Sequence, residues 1–179
     1  MTLFYCVRHG QPDYSYGDVH GFIGHGHDLA PLKKECLSDV IHASKDARLK
    51  NAQVIVSSPY TRALQTAAII SKQTGLSIEV EMDLREWQPD LTYQYKNMDE
   101  MMNLYHDYQE CQGIYPEHEK KIWESKEMLQ KRVKRVLQKY SYYDCVILVG
   151  HRMAFQSVFE CGQMKPAEIY EVSVEEEIR

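Results

Sequence analysis

Short runs of consecutive apolar, β-favouring residues alternate along this chain with longer stretches in which apolar residues recur every three or four positions. Thr2–Val7 (TLFYCV), Gln53–Ser57 (QVIVS), Leu76–Val80, Asp144–Gly150 (DCVILVG) and Glu168–Val174 have the first pattern and predict five strands. Leu32–Arg48 has the second and predicts a helix with Leu37, Val40, Ile41 and Ala47 near one face. Ser58-Pro59 reads as a helix start, with serine as N-cap and proline in the first turn. That helix runs on Ala63, Leu64, Ala67 and Ile70 to about Thr74, where Gly75 stops it. Asn97–Glu110 is a further helix, and Glu117–Tyr140 a long one carrying Ile122, Leu129, Val133, Val136 and Tyr140. Arg152–Cys161 is short. Gln11–Ala30, rich in Gly, Pro, Asp and His, reads as loop, Met82–Pro116 as irregular outside its helix, and an acidic tail follows the last strand.

Strands alternating with helices imply an α/β domain, a three-layer α/β/α sandwich whose long connections favour a mostly parallel central sheet. At 179 residues, with no repeat or flexible linker, the chain suits a single domain that buries roughly 70% of its unfolded surface. Charge modifies this picture only by exclusion. A net charge of −5 argues against a nucleic-acid partner, and the longest apolar runs are too short to span a membrane. Five cysteines at 6, 36, 111, 145 and 161 lack CxxC spacing. They read as small buried hydrophobes in a reducing, cytoplasmic setting. Lys131, Arg132, Lys134 and Arg135 read as the solvated outer face of their helix.

Ligands of open α/β sheets bind beyond the carboxyl ends of the strands. The residues there are Arg8-His9-Gly10 after the first strand, Ser58–Arg62 after the second and His151-Arg152 after the fourth. Two histidines and two or three arginines thus emerge on one edge. Guanidinium forks beside a helix N-terminus suit a compact anion such as phosphate. A neutral imidazole among them is a nucleophile near pH 7, and the arginines offset the repulsion between phosphoryl oxygens and the attacking lone pair. Leu84-Arg85-Glu86 offers a candidate proton donor for the leaving oxygen.

With these residues the chain resembles the histidine phosphatase superfamily, which includes the cofactor-dependent phosphoglycerate mutases. The resemblance starts at CVRHGQ (Cys6–Gln11) and continues through DLAPLKKECLSDVIHA (Asp28–Ala43) and SSPYTRALQTA (Ser57–Ala67). It is taken up by DLREW (Asp83–Trp87) and VILVGH (Val146–His151), in the family's order over nearly the whole chain. It implies the family's three-layer fold and a phosphohistidine formed on His9. Arg8, Arg62 and His151 would grip the phosphoryl oxygens, and Glu86 would protonate the leaving alcohol and later activate water. The implied partner is a small phosphate ester, with neither metal nor other cofactor. Gln11 and Ser58 are possible substrate contacts; capping accounts for Ser58 equally well.

One position departs from the family pattern: Arg152 stands where glycine is usual. Its side chain either turns away, adds a cation suited to a second anionic group, or obstructs the pocket. His20, His25 and His27 read as a loop at the pocket mouth or as solvated residues rather than a zinc site. The tyrosine- and methionine-rich stretch 88–120 reads either as a substrate-covering insertion or as packing of an irregular subdomain. The leading function is a phosphomonoesterase. A phosphoglycerate-type mutase is second, its larger insertion hard to fit in this length, and a catalytically weak phospho-ligand-binding module is third.

Overall fold

The structure, a computed structural model, describes residues 1–175 apart from Ile23. In chain order its elements are β1 (Thr2–Arg8), α1 (Ser15–His20), α2 (His25–Asp28), α3 (Leu37–Ala43), β2 (Val54–Ser57), α4 (Thr61–Thr74), β3 (Ile78–Val80), α5 (Met98–Glu110), α6 (Lys126–Lys139), β4 (Cys145–Gly150), α7 (Arg152–Gln156) and β5 (Ile169–Val174). The strands form one sheet in the order β3-β2-β4-β1-β5. All neighbours are parallel except β1 and β5. Helices flank this sheet, as the alternation of periods predicts.

Strand period 2 sorts the apolar residues onto the two faces. Phe4, Cys6, Val54, Val56, Val146 and Leu148 point to one side, against Val136 and Leu137 of α6 and Phe155 of α7. Tyr5, Val7, Ile55, Ile147 and Val149 point to the other, against Ala63, Ala67 and Ile70 of α4. Both faces are covered, which is why these strands read as continuous apolar runs. All five cysteines are free, but only Cys6 and Cys145 are buried in the core, while Cys36, Cys111 and Cys161 are partly exposed.

Several boundaries differ from expectation. The helix expected over Leu32–Arg48 is reduced to Leu37–Ala43. Ser44 Oγ donates back to the Ile41 carbonyl, and Asp46 draws the Arg48 N–H into a separate 3-10 turn. The helix expected from Glu117 starts only at Lys126, because Ser125 caps it by accepting from the Met128 N–H (3.2 Å). Upstream, the Glu124 N–H is committed to the Gln88 carbonyl and the Ile122 carbonyl to the Leu91 N–H. The Gln11–Ala30 loop carries α1 and α2, with Gly21 in the left-handed region ending α1 (φ 67°). The expected acidic tail lies outside the described residues from 176 onward.

Candidate active site

Sheet register assembles the site. Arg8 pairs with Gly150 across β1 and β4, and Ser57 with Val149 across β2 and β4. His9 therefore comes level with His151, and Ser58 level with Gly150, one residue before His151. Their rings and hydroxyl meet there. The His9 and His151 rings are 5.0 Å apart at 61°, and Ser58 Oγ is 2.7 Å from His151 Nε2.

His9 is 4% exposed. Its Nδ1 lies 2.6 Å from the Gly10 carbonyl, which can only accept, so Nδ1 carries the proton. Nε2 is left with the lone pair and accepts from the Arg62 Nε–H at 3.2 Å. Gly10 makes this turn possible: a Cβ there would stand 2.4 Å from Val40 Cγ2. The Gly10 N–H is held by Thr66 Oγ1 of α4. Burial first, then the Arg62 charge, lowers the His9 pKa from 6.5 to about 3. The ring is accordingly neutral and nucleophilic across the neutral range.

That shift has a consequence for stability. Between pH 6.5 and about 3 the unfolded chain binds a proton at His9 that the folded chain refuses, so stability falls as pH drops through this window. His9→Gln should therefore lose about 2 kcal/mol less than the wild type between pH 7 and pH 5. Urea unfolding at both pH values measures the difference, and identical losses would refute the assignment.

Arg62 stands in the first turn of α4, nearly fully buried. Its Nη1 donates to the His27 carbonyl (2.7 Å), and its guanidinium lies over the Tyr60 ring at 4.9 Å. Arg8 donates from Nη1 to the Met164 carbonyl (2.5 Å), while its buried Nε has no protein partner. His151 is fully buried, and its Nδ1 is likewise without a partner. Burial, followed by the charge of Arg62, pushes the His151 pKa well down. Unpaired buried polar atoms are costly in a folded protein; among the described residues they are Arg8 Nε, His151 Nδ1, His27 Nε2 and Gln88 Oε1.

Glu86 arrives from the opposite side. Its Oε1 accepts from the Ala154 and Trp87 N–H groups (3.1 and 2.9 Å) and its Oε2 from the Met153 N–H (3.4 Å), so it seats on the start of α7, just past His151. A cavity of about 340 Å³ is lined by Arg62, Glu86, Arg152, Trp87 and Tyr60, with Met101 and Tyr105 of α5 on its wall. Arg152 Nη1 donates to Gln163 Oε1 (2.9 Å) at the rim.

Not every sequence candidate joins this group. Ser58 is not the N-cap: α4 starts two residues after Pro59, with Tyr60 as its cap residue, and the serine hydroxyl, which accepts from the Tyr60 N–H (3.3 Å), also reaches His151. Gln11 lies outside the residues lining the cavity, as do Arg8, His9, Ser58 and His151, and its carbonyl accepts from the Lys33 N–H. His20, His25 and His27 go to separate rings, of Tyr16, Tyr93 and Tyr14. Tyr105, Tyr108 and Tyr115 pack on Trp87 and Trp123, in a cluster shared with Leu129 and Val133 of α6 and Ala154 of α7.

The largest correction concerns Arg132. It is 2% exposed rather than part of a solvated face. Its Nε and Nη2 grip Glu124 (2.6 and 2.9 Å), and its Nη1 and Nη2 donate to the carbonyls of Asp83, Arg85 and Glu86. The signal was present in the spacing: residue 132 falls on the same stripe as Leu129, Val133 and Val136.

Residues 4–174 match the family described as histidine phosphatase superfamily, branch 1. The chain belongs to the histidine phosphatase superfamily. It is thereby an enzyme of the phosphatase class. It is 31% identical over 158 residues to a protein of Hydrogenobacter thermophilus named "Putative phosphoserine phosphatase 2", covering 84% of this chain and 73% of that one. Its fold is similar to that of the mycobacterial glucosyl-3-phosphoglycerate phosphatase, with a TM-score of 0.72 at 20% identity, over 97% of this chain and 90% of the other. YhfR of Bacillus stearothermophilus aligns with the same score at 18% identity, over 98% and 92% of the two chains. No helix among the described residues of this histidine phosphatase is long and apolar enough to cross a membrane.

Proposed function

We propose that this histidine phosphatase hydrolyses a small phosphomonoester through a phosphohistidine at His9 Nε2. The observation that carries the reading is the His9 tautomer: Nδ1 is tied to Gly10, leaving Nε2 with its lone pair beside the Arg62 Nε–H. In the first step the Nε2 lone pair forms the N–P bond as the P–O bond to the alcohol breaks. The departing oxygen takes a proton from Glu86. In the second step water attacks phosphorus and gives a proton to the Glu86 carboxylate. The N–P bond then breaks, returning its electron pair to Nε2 and releasing phosphate.

Arg8 and Arg62 supply the positive charge that the spread negative charge of the transition state requires, with neutral His151 as a hydrogen-bonding neighbour, so no metal ion enters the scheme. The unpartnered Arg8 Nε and His151 Nδ1 are suited to phosphoryl oxygens. Segment 88–120 covers the alcohol half of the substrate through Met101 and Tyr105 of α5, and Arg152 at the rim suits a second anionic group.

A panel of phosphate esters tests the reading. Phosphoserine and phosphoglycerates belong in it, because two relatives are named for esters of these kinds. Phosphate release is expected without any bisphosphate primer. Strict primer dependence would instead make the chain a mutase, and absence of turnover on the whole panel would make it a binding module.

A further inference from the structure

We propose that Arg132, with Glu124 behind it, is the positioning residue that holds the Glu86 loop in register with the reacting phosphoryl group. The inference rests on Glu86 being the proton donor. Three features support it. The Arg132 guanidinium donates to the carbonyls of Asp83 and Arg85 (2.7 Å each) and Glu86 (2.9 Å), so one rigid plane spans the segment that carries the acid. Glu124 fixes that plane from the other side and itself accepts from the Gln88 N–H (3.1 Å), just beyond Glu86. The Glu124 carbonyl also takes the Trp87 indole N–H (2.8 Å). The Glu86 segment has no strand or α-helix of its own to hold it, and Trp87, Gln88 and the carbonyls before them are tied to Glu124, just before α6, and Arg132, in the middle of it.

A buried ion pair that served stability alone could bond to any neighbour. This one spends its donors on three backbone carbonyls of residues 83–86, ending at a single side chain whose carboxylate in turn reaches the Met153 and Ala154 N–H groups past His151. Moving the loop by a fraction of an ångström would displace the proton donor while leaving His9, Arg8 and Arg62, which belong to the sheet edge and α4, where they are.

The test exploits what a proton donor does. An ester of 4-nitrophenol expels a stable anion and needs little protonation; benzyl phosphate, similar in size, expels an alkoxide and needs it. The ratio kcat/KM reports steps through phosphoenzyme formation, where that bond breaks. Arg132→Lys keeps a cation for Glu124 but loses the planar fork. It is expected to lower kcat/KM for benzyl phosphate about 30- to 100-fold and for 4-nitrophenyl phosphate no more than about threefold. Glu86→Gln should show the same selectivity, at least as strongly. The neutral pair Glu124→Leu with Arg132→Met, which leaves no unpaired buried charge, serves where the lysine variant does not fold, and should show that selectivity too. Thermal unfolding verifies the folded state of each.

Equal losses on both esters, or no loss, in folded Arg132 variants while Glu86→Gln remains selective would overturn the positioning role and leave the acid assignment intact. Loss of selectivity in Glu86→Gln itself would overturn that assignment, and the positioning role with it.

Discussion

His9→Ala is expected to lower phosphate-ester turnover by about 10⁴-fold or more, with no phosphorylated protein left to detect. The expectation follows from the division of labour on one ring. Nδ1 is used up by the Gly10 carbonyl, so only Nε2 can attack, and burial together with Arg62 keeps it unprotonated down to about pH 3. His151, whose ring lies 5.0 Å away, has its Nε2 engaged with Ser58. Wild-type protein mixed with a turned-over ester and quenched at mildly alkaline pH should gain one phosphoryl group in its intact mass. The variant should gain none. A His9→Ala protein active within tenfold of wild type would remove the phosphohistidine from the mechanism.

Arg62→Leu should show the second-largest effect, a fall in kcat/KM of about 10²- to 10³-fold, as for loss of a buried charge-stabilising donor. Arg62 acts twice. Its guanidinium supplies positive charge to the transition state, and that charge is the second cause, after burial, holding the His9 pKa down. Removing it raises the pKa of His9, so the acid limb of the kcat/KM profile, which reports the free enzyme, should move to higher pH. The residual activity and the limb are read from one pH series. Unchanged turnover, or an acid limb that moves downward, would contradict both roles. Arg62→Lys separates them, since lysine keeps the charge but lacks the fork that reaches His9 Nε2 and the His27 carbonyl together.

Legibility in the sequence followed the range of the forces involved. The central strands β1, β2 and β4 were readable because each is a largely apolar run buried on both faces, while the edge strands β3 and β5 are shorter or mixed and only partly buried. Where side chains compete locally for backbone groups, the reading failed. Ser58 next to Pro59 has the chemistry of a cap, yet its hydroxyl is drawn across the sheet edge to His151, 93 positions away, and α4 begins at Thr61. Ser125 makes the opposite point: it caps α6 in a stretch that reads as mid-helix, because residues 122 and 124 bond to the 88–91 loop.

Local composition and spacing sufficed for the five strands, for His9, Arg8, Arg62, Glu86 and His151 as candidates, and for their meeting at one sheet edge. All these follow from short-range pattern plus the rule that loops after parallel strands share an edge. Tertiary packing alone decided the rest: which His9 nitrogen keeps its lone pair, where the Ser58 hydroxyl goes, and which carbonyls of the Glu86 loop Arg132 bonds. Each of these depends on partners distant in sequence, Arg62 53 positions from His9 and the Glu86 carbonyl 46 from Arg132. A hydrogen bond leaves no periodic trace in the chain, because its energy depends on ångström-scale approach that only the folded backbone provides.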